Sequence, residues 1–343
     1  MYDVIIVGGG PIGLYLAHLL EARLDVLVLD KNAAFGRKAD SGLYSTNLEQ
    51  FIPIDRSWVE HEVRAAVLHA PSGEVIALKK PRTAAYVADR ERFTAWLAKR
   101  VQSPVKQRAR VTGLSFGKTV TVTTTAGTFE GKVVIGCDGA SSIVRKHLGV
   151  QPAEILNGLI AITQEKNLDP QVDLYFDKDR IRDGFFWKIP RGHTTEYGAL
   201  GKNVHYRDLE AFFTIKDYER RAAFMNLGLF PTAFDRAILV GEAAGQVKPW
   251  SLGGIIFGFT CATLARDVLF EAFTKQDFSA AFLQRYDQRW KKKIGTTIRA
   301  GMLFRGMYVK MDNATLDSWF RRIKRIPFLG RLDMDFPALD VFG

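Results

Sequence analysis

The chain begins with an apolar segment that runs directly into a glycine turn, Gly8-x-Gly10-x-x-Gly13. Residues 2–7 have the composition of a strand buried in a parallel sheet, and residues 11–21 are predicted to form the helix that follows. Such a turn lets the backbone approach a pyrophosphate, and the helix N-terminus offers it free N–H groups and a partial positive charge. This segment therefore predicts a Rossmann-like unit that binds a dinucleotide.

An acidic residue downstream supports the same interpretation. Asp30 ends the second apolar segment, residues 26–29, about 20 residues beyond the glycines. A carboxylate at this place can accept hydrogen bonds from the ribose diol of a dinucleotide. NAD and FAD both use this unit, so these residues alone do not choose between them. A glycine turn that merely connects a strand to a helix is the structural alternative.

Two further apolar segments end in turns built from glycine and an acidic residue. Residues 133–140 read Val-Val-Ile-Gly-Cys-Asp-Gly-Ala, and residues 238–245 read Ile-Leu-Val-Gly-Glu-Ala-Ala-Gly. Ordinary turn chemistry explains each of them taken alone. Three such turns in one chain indicate that one large dinucleotide is held at separate points.

The second and third turns resemble motifs of flavoproteins related to aromatic hydroxylases. Residues 136–145 look like the "GADGxxSxVR" turn, and residues 241–245 resemble the "GDAAG" segment whose acid holds the flavin ribityl chain. Glu242 stands where that superfamily usually has Asp. The resemblance implies FAD as the cofactor and an α/β fold. It implies a Rossmann-like FAD-binding domain, a β-sheet substrate lobe of α+β character, and C-terminal helices.

The segment after the third turn points to one family within these flavoproteins. Residues 246–258 resemble the "GxVKPxTGGGIxxG" stretch of the geranylgeranyl reductase family. Members of this family are FAD enzymes that saturate C=C bonds in isoprenoid chains, including those of archaeal ether lipids. The resemblance implies that Gly253, Gly254 and Ile255 open a helix against the pyrimidine side of the flavin ring.

A second family mark is Phe-Phe-Trp-Lys-Ile-Pro at residues 185–190. Phe185, Trp187, Ile189 and Pro190 occupy the positions of the family's "YxWxFP" motif on the sheet of the substrate domain. The aromatic and apolar wall that this implies suits a hydrocarbon chain. Alternating large side chains are also common in an ordinary core, and flavin halogenases carry a similar "WxWxIP" pattern.

One segment departs from the family pattern. Many members carry a cysteine in "CxGL", whereas residues 40–43 read Asp-Ser-Gly-Leu, with Asp40 in place of the cysteine. We interpret Asp40 as a candidate for proton delivery or for orienting the substrate, and Gly42 as a substrate contact. A solvent-exposed loop aspartate is the alternative.

Motifs and resemblance together predict a set of flavin contacts. Arg90, in a family "DR" position, is expected at a flavin phosphate, with a salt bridge as the alternative. No metal ligands are predicted, because Cys137 and Cys261 are the only cysteines, and both are expected to be buried. The predicted FAD contacts are Gly8, Gly10, Pro11, Ile12, Gly13, Asp30, Lys31, Arg37, Arg90, Val111, Asp138, Gly139, Gly241, Glu242, Gly253, Gly254 and Ile255.

The predicted domains alternate along the chain. Residues 1–60, 84–150 and 230–275 are assigned to the FAD-binding domain, and residues 61–83 and 151–229 to the substrate domain. Residues 276–343 are assigned to a helical C-terminal region, with breaks expected near Gly295, Gly301 and Gly306.

The basic residues are concentrated near the C-terminal end of the sequence. The net charge is +11, and residues 291–326 contain ten basic and two acidic residues interleaved with large apolar ones. This mixture is typical of interfacial helices that rest on anionic lipid. A solvated basic face over ordinary core helices is the alternative. No nucleic-acid motif accompanies the charge, so nucleic acid is not a predicted partner.

The leading hypothesis is therefore a reductase of isoprenoid lipids that receives electrons from an external donor, NADPH or ferredoxin. The alternatives are a monooxygenase of an aromatic or lipid substrate, and a flavin- or lipid-binding protein without turnover. The first residues already form the nucleotide strand, and no run of about 20 apolar residues occurs. The expected location is the cytoplasm, with peripheral binding to the inner face of the membrane.

Overall fold

The computed structural model describes residues 1–36, 38–326 and 333–335. The strands are β1 (Tyr2–Val7), β2 (Val26–Leu29), β3 (Leu43–Ser45), β4 (Val59–Val63), β5 (Ala65–His69), β6 (Val75–Lys79), β7 (Ala85–Ala88), β8 (Val105–Lys106), β9 (Val111–Phe116), β10 (Val120–Thr124), β11 (Gly127–Gly136), β12 (Glu154–Thr163), β13 (Gln171–Tyr175), β14 (Phe185–Pro190), β15 (Thr195–Gly201), β16 (Glu219–Leu227), β17 (Ala233–Phe234) and β18 (Ala237–Leu239). The helices are α1 (Pro11–Leu20), α2 (Arg90–Ala98), α3 (Ile143–His147), α4 (Tyr206–Phe213), α5 (Ile255–Lys275), α6 (Ala280–Trp290), α7 (Thr296–Lys310) and α8 (Asn313–Ile323). Short 3₁₀ turns lie at Thr46–Gln50 and Gly241–Ala244, and a π-helical turn lies at Lys291–Gly295.

The chain forms two compact units. Unit 1 comprises residues 1–37, 91–154 and 226–300, and unit 2 comprises residues 38–90, 155–225 and 301–343. Residues 38–60 and 84–90 thus lie in unit 2, although the sequence assigned them to the FAD-binding domain. The reason is that β3 and β4 both pair with β7, so these segments share one small sheet. The functional assignment of the two units stays a prediction.

Unit 1 is built on a mainly parallel sheet with strand order β17-β18-β11-β1-β2-β8. Strands β1 and β2 are nearly continuous runs of buried Val, Ile and Leu, as expected for strands covered on both faces. Helices α1 and α5 pack against each other, and the rings of Tyr15 and Phe259 stack at 4.2 Å. The carboxyl ends of β1, β11 and β18 lie at one edge of this sheet, where ligands of such folds bind.

Unit 2 contains a sheet with strand order β16-β12-β15-β14-β13-β5-β6 and the small sheet β3-β7-β4. Strands β12, β15, β14 and β13 are antiparallel neighbours, and β5 runs parallel to β13. Helix α4 covers one face through aromatic contacts, among them the stacked rings of Phe186 and Phe212 at 4.1 Å. The predicted α/β class with an α+β second lobe is confirmed.

The C-terminal helices correct one prediction. Helix α7 runs through Gly301 and Gly306 without a break, so the breaks expected there are wrong. A glycine inside a helix costs only about 1 kcal/mol, which the neighbouring residues offset here. The break lies instead at Asp312, whose carboxylate accepts a hydrogen bond from the Thr315 N–H at 2.8 Å and so caps α8. In the described part of the chain, no helix has the length and hydropathy needed to cross a bilayer.

Candidate functional site

The three glycine turns lie side by side at one edge of the unit 1 sheet. The Cys137 N–H donates to the Val7 carbonyl oxygen at 2.8 Å, and the Val240 N–H donates to the Gly136 carbonyl oxygen at 2.9 Å. Parallel pairing of β1, β11 and β18 therefore brings together segments that are more than 100 residues apart in the sequence.

The three glycines of the first turn are needed for different structural reasons. Gly8 has a φ of 111°, and a Cβ there would lie 2.4 Å from the Cys137 carbonyl oxygen. A Cβ at Gly13 would lie 2.0 Å from the Gly8 carbonyl oxygen. Gly10 instead faces open space, with no atom within 4 Å of its added Cβ. Protein packing thus explains Gly8 and Gly13, whereas Gly10 leaves room for a ligand beside the backbone.

The first helix offers unpaired donors at this turn. Gly10 is the N-cap of α1 and contributes no side-chain acceptor, and Pro11 occupies the first helical turn. The N–H groups of that turn are therefore available to a phosphate. The side chain of Ile12 points elsewhere: an added Cβ at Gly258 would lie 2.3 Å from its Cδ1, and one at Gly241 would lie 3.2 Å from its Cγ1. Ile12 therefore packs α1 against α5 and the third turn, and its side chain is only partly buried.

Asp30 is held firmly beside the first turn. Its Oδ2 accepts a hydrogen bond from the Gly9 N–H at 2.7 Å, and its Oδ1 accepts one from the Asn32 N–H at 2.7 Å. Each carboxylate oxygen keeps a second lone pair for a hydroxyl donor. Lys31, the next residue, is exposed.

Asp138 carries an unsatisfied acceptor in the second turn. Its Oδ2 accepts from the Ile143 N–H at 2.6 Å, but its Oδ1 is shielded from solvent and has no hydrogen-bond partner within the described residues. Burial raises the pKa of this carboxyl above its ordinary value. An unpaired buried acceptor is costly, so a ligand hydroxyl at this position would be stabilised.

Two residues that the sequence did not single out hold the second turn. The Ala140 carbonyl oxygen accepts from Arg145 Nη2 and from Asn226 Nδ2, both at 2.6 Å. Arg145 Nη1 also donates to the Ala243 carbonyl oxygen at 3.2 Å, so the same guanidinium joins the second and third turns. Burial lowers the pKa of Arg145. Arg145 lies inside the quoted motif, but no sequence signal marks Asn226.

Two side chains hold the third turn in place through hydrogen bonds. Gly241 has a φ of 72°, and its N–H donates to Gln246 Oε1 at 2.7 Å. Gln246 Nε2 in turn donates to the Tyr286 hydroxyl oxygen at 2.9 Å. Glu242 follows Gly241 and is half-buried. Gln246 and Tyr286 therefore fix the turn that carries Glu242.

The next helix also begins without a side-chain cap. Gly254 is the N-cap of α5, which starts at Ile255. Lys248 is buried, with 4% of its surface exposed, and its Cε would lie 2.8 Å from a Cβ at Gly253. The α5 N-terminus thus combines free N–H groups with a nearby ammonium group, an arrangement that favours negative charge.

Two further predicted contacts are Val111 and Arg37. The Val111 side chain is buried in the core of unit 1, so only its backbone is open to a cofactor. Arg37 falls outside the described residues. Cys137 and Cys261 are both buried, as predicted, and both are free cysteines.

In unit 2, Asp40 forms an ion pair with Arg90. Arg90 Nη1 donates to Asp40 Oδ2 and also to the Tyr44 hydroxyl oxygen at 3.0 Å, which is the salt-bridge alternative for this residue. Asp40 Oδ1 accepts from the Gly42 N–H at 2.7 Å. A Cβ at Gly42 would lie 2.2 Å from the Ala88 carbonyl oxygen. Both Asp40 oxygens therefore act as acceptors.

The predicted apolar wall lies on β14. The rings of Phe185 and Trp187 are 6.0 Å apart and partly buried, whereas Ile189 and Pro190 are buried. Trp187 Nε1 donates to Glu196 Oε1 at 2.9 Å. Glu196 is fully buried and was not singled out from the sequence, which marked its segment only as a strand.

The sequence is similar to those of known nucleotide-binding proteins and reductases. A family profile for an NAD(P)-binding Rossmann-like domain matches residues 6–78. The chain is 27% identical to digeranylgeranylglycerophospholipid reductase 2 of Methanopyrus kandleri, over 94% of this chain and 91% of that protein. It is 28% identical to the protein of the same name from Methanothermobacter thermautotrophicus, over 98% of this chain and 97% of that protein.

Solved structures share the fold. A geranylgeranyl bacteriochlorophyll reductase-like protein from Thermoplasma acidophilum has a TM-score of 0.87 and 21% identity, with 95% of this chain and 92% of that chain covered. A halogenase in complex with phloroglucinol and FAD has a TM-score of 0.72 and 14% identity, with 96% and 84% covered. The resemblance indicated by the sequence motifs is confirmed, and the chain is a relative, over nearly its whole length, of the geranylgeranyl reductase family of flavoproteins.

Proposed function

We propose that this protein is an FAD-dependent reductase that saturates C=C bonds in the geranylgeranyl or other polyprenyl chains of isoprenoid lipids. The observation that carries the proposal is the likeness to digeranylgeranylglycerophospholipid reductases over more than nine tenths of the chain. The glycine turns of unit 1 are proposed to bind the cofactor, and the aromatic wall of unit 2 is proposed to contact the hydrocarbon.

FAD fits the residues at the edge of the unit 1 sheet. The open space at Gly10 and the uncapped start of α1 suit a pyrophosphate. Asp30 is the proposed contact of the adenosine ribose. Asp138 Oδ1, which has no hydrogen-bond partner among the described residues, is proposed to accept a hydrogen bond from a ligand hydroxyl. Glu242 is the proposed ribityl contact, and Gly253, Gly254 and Ile255 are proposed to hold the pyrimidine side of the ring.

When bound, reduced FAD would supply the hydride for one carbon of the alkene, and a proton would be needed at the other carbon. The N–H groups at the start of α5, together with Lys248, would stabilise negative charge on the bound cofactor. For the proton we propose Asp40, after it has taken up a proton from solvent, or a water bound to it that solvent replaces. Because both Asp40 oxygens already accept hydrogen bonds, an intervening water is the arrangement that leaves those contacts intact.

The wall of unit 2 suits a hydrocarbon. Phe185 and Trp187 expose part of their rings, and Ile189 and Pro190 continue the apolar strand. A chain without polar groups would lose no hydrogen bonds to water on entering such a place.

The test is an anaerobic single turnover. The purified, FAD-loaded protein is reduced with dithionite and mixed with digeranylgeranylglycerophospholipid, and the flavin spectrum and product mass are followed together. We expect reoxidation of the flavin with a gain of two mass units for each double bond. A flavin that stays reduced until air is admitted, followed by an oxygenated product, would replace the reductase with the monooxygenase. Protein that binds no FAD would remove both.

The electron donor belongs to the same proposal. We propose that NADPH or reduced ferredoxin reduces the bound flavin from outside. Mixing each donor with the oxidised protein without oxygen and following the loss of flavin absorbance tests them separately. Reduction at a rate equal to that of free FAD by both donors would contradict the proposal.

We also propose that the C-terminal helices bring unit 2 to an anionic membrane surface, where a lipid substrate resides. On α7, Leu303, Phe304 and Met307 are exposed by 68%, 44% and 49% of their surfaces. They share one helix face, because they lie within one turn of each other. Lys310 is exposed one turn further on, and the last turn of α8 adds the exposed Arg321 and Arg322. Apolar side chains flanked by basic ones favour the interface of anionic lipids.

A further inference from the structure

The Trp187 indole lies flat on the backbone of the neighbouring strand. Trp187 on β14 pairs directly with Gly198 on β15. An added Cβ at Gly198 would lie 1.9 Å from Trp187 Cε2 and 2.0 Å from Cζ2. The ring therefore occupies the space that any side chain at this position would need, and only glycine permits its orientation.

A buried carboxylate fixes the other degree of freedom of the ring. Trp187 Nε1 donates to Glu196 Oε1 at 2.9 Å, and Glu196 is fully buried. The second oxygen, Oε2, accepts from Arg191 Nη1 at 2.8 Å. A buried charge is retained only when it is paired and hydrogen-bonded, so the Glu196 side chain has little freedom to turn away. Its contact with Nε1 sets the rotation of the indole within its plane.

Arg191 extends this arrangement to the loop that carries Asp40. Its Nη1 donates to the Ser41 carbonyl oxygen at 2.7 Å, and its Nη2 donates to the Ala88 carbonyl oxygen at 2.9 Å. Its Nη2 also forms an ion pair with Glu60 at 2.7 Å. One guanidinium group therefore ties the Trp187 strand, through Glu196, to the residue that follows Asp40.

We infer that Glu196 and Gly198 are positioning residues that hold Trp187 as a flat, rigid floor for the isoprenoid chain, so that displacing the ring weakens binding of the chain and makes its reduction less complete. The inference rests on the proposed function. One face of the indole is covered by the Gly198 backbone, yet Trp187 is only partly buried, so part of its ring is left for a ligand. A planar, apolar surface favours the extended trisubstituted alkenes of an isoprenoid chain, and fixing the ring in advance avoids the entropy cost of ordering it on binding.

Gly198→Ala is the sharpest variant, because it adds one methyl group where the indole lies. No positive φ is recorded for Gly198, so the backbone accepts alanine and the ring must move. Gly113→Ala in β9 is the matched control, since the nearest atom to its added Cβ is 3.8 Å away. We expect Gly198→Ala to raise the KM for a digeranylgeranyl lipid about tenfold and to shift the product mass toward partly saturated chains, while Gly113→Ala changes neither.

A double-mutant cycle separates positioning from general damage to the sheet. If Gly198→Ala acts by displacing the indole, it adds nothing in a Trp187→Ala background, where the space is empty. Glu196→Gln, which retains an acceptor for the Trp187 Nε1–H, is expected to change the product pattern less than Glu196→Ala. Full additivity of Gly198→Ala and Trp187→Ala, or a wild-type product pattern in Gly198→Ala, would overturn the inference.

A binding measurement keeps the inference testable apart from turnover. The emission of Trp187, taken as wild type minus Trp187→Phe, is followed while a brominated isoprenoid ether lipid is added. If the lipid quenches this emission less in Gly198→Ala than in the wild type, the result supports Trp187 as the floor for the chain. Equal quenching in both proteins contradicts it. If FAD-loaded wild-type protein reduces no isoprenoid lipid, the proposed function fails, and the quenching result still decides whether Trp187 is held as a floor for a hydrocarbon.

Discussion

Arg90 donates a hydrogen bond to the carboxylate of Asp40, and the same nitrogen donates to the Tyr44 hydroxyl oxygen at 3.0 Å. Asp40 stands at the position of the cysteine in the "CxGL" motif with which the sequence was compared above. The ion pair offers a structural reason for the aspartate that is independent of any part in proton transfer. The two explanations predict different results for one substitution.

Asp40→Asn keeps an oxygen for the Gly42 N–H and removes the negative charge. If Asp40, directly or through a water, supplies the proton, kcat falls about a hundredfold, while the KM and the FAD content stay near those of wild type. The measurement is steady-state reduction in H₂O and D₂O, because a proton-transfer step that limits the variant increases the solvent isotope effect. Wild-type turnover would leave Asp40 with only its contacts to Arg90 and Gly42. Asp40→Cys tests in the same assay whether a thiol can replace it.

The glycines of the first turn are expected to separate folding from cofactor binding. Gly8→Ala and Gly13→Ala place a Cβ 2.4 Å and 2.0 Å from backbone oxygens, so both should lower the stability of the protein without cofactor by about 2–3 kcal/mol. Gly10→Ala meets no atom within 4 Å and should leave that stability near wild type while weakening FAD binding. Urea unfolding of the cofactor-free protein and FAD titration measure the two effects. Equal loss of stability in all three variants would contradict the different structural reasons assigned to them.

Asp138 is expected to lower the stability of the cofactor-free protein and to strengthen FAD binding. Because burial raises its pKa in the folded protein, its contribution to stability is greatest below its unfolded pKa and is lost as the pH rises through the higher folded value. Near pH 7 the carboxylate therefore destabilises the protein without cofactor. Asp138→Asn should raise the Tm of that form at pH 7, flatten its dependence on acidic pH and weaken FAD binding. A lower Tm with unchanged FAD affinity would contradict an unpaired acceptor at this site.

Membrane binding should depend on the exposed face of α7. Leu303→Glu places a charge within an apolar patch that is flanked by basic residues, and it should reduce flotation with vesicles containing anionic lipid. Leu168→Glu is the matched control, since Leu168 is 61% exposed and Leu303 is 68% exposed. Binding should also weaken as salt rises, because each basic residue near the surface contributes about 1 kcal/mol. If both variants float equally well, or if the wild-type protein floats equally well with vesicles that lack anionic lipid, α7 is not the membrane-binding surface.

The local parts of the candidate site could be read from the sequence. The Gly8 turn, the helix that follows it and the strand at residues 185–190 form where they were predicted. Each depends on residues within a few positions of one another, since backbone conformation, strand burial and helix capping are short-range properties. The adjacency of the three turns also followed from the sequence, because parallel strands place their carboxyl ends at one edge.

The partners of the functional side chains could not be read in this way. Arg191 contacts a carbonyl oxygen 150 residues away at Ser41, and Asn226 contacts one 86 residues away at Ala140. The packing of the Ile12 side chain against Gly241 and Gly258, more than 200 residues away, is a third such contact.

By itself, the sequence determined that this chain has a Rossmann-like unit with three glycine turns, and that it is related to isoprenoid reductases. Only the tertiary structure decided that Asp40 is paired with Arg90, that Asp138 keeps an unpaired oxygen, and that Trp187 lies on Gly198 with its Nε1–H bound to Glu196. The physical reason is that such contacts depend on how strands pair and on how the turns between them are folded. In the β14–β15 pair, for example, a shift of one residue in the register would turn the Trp187 side chain to the opposite face of the sheet.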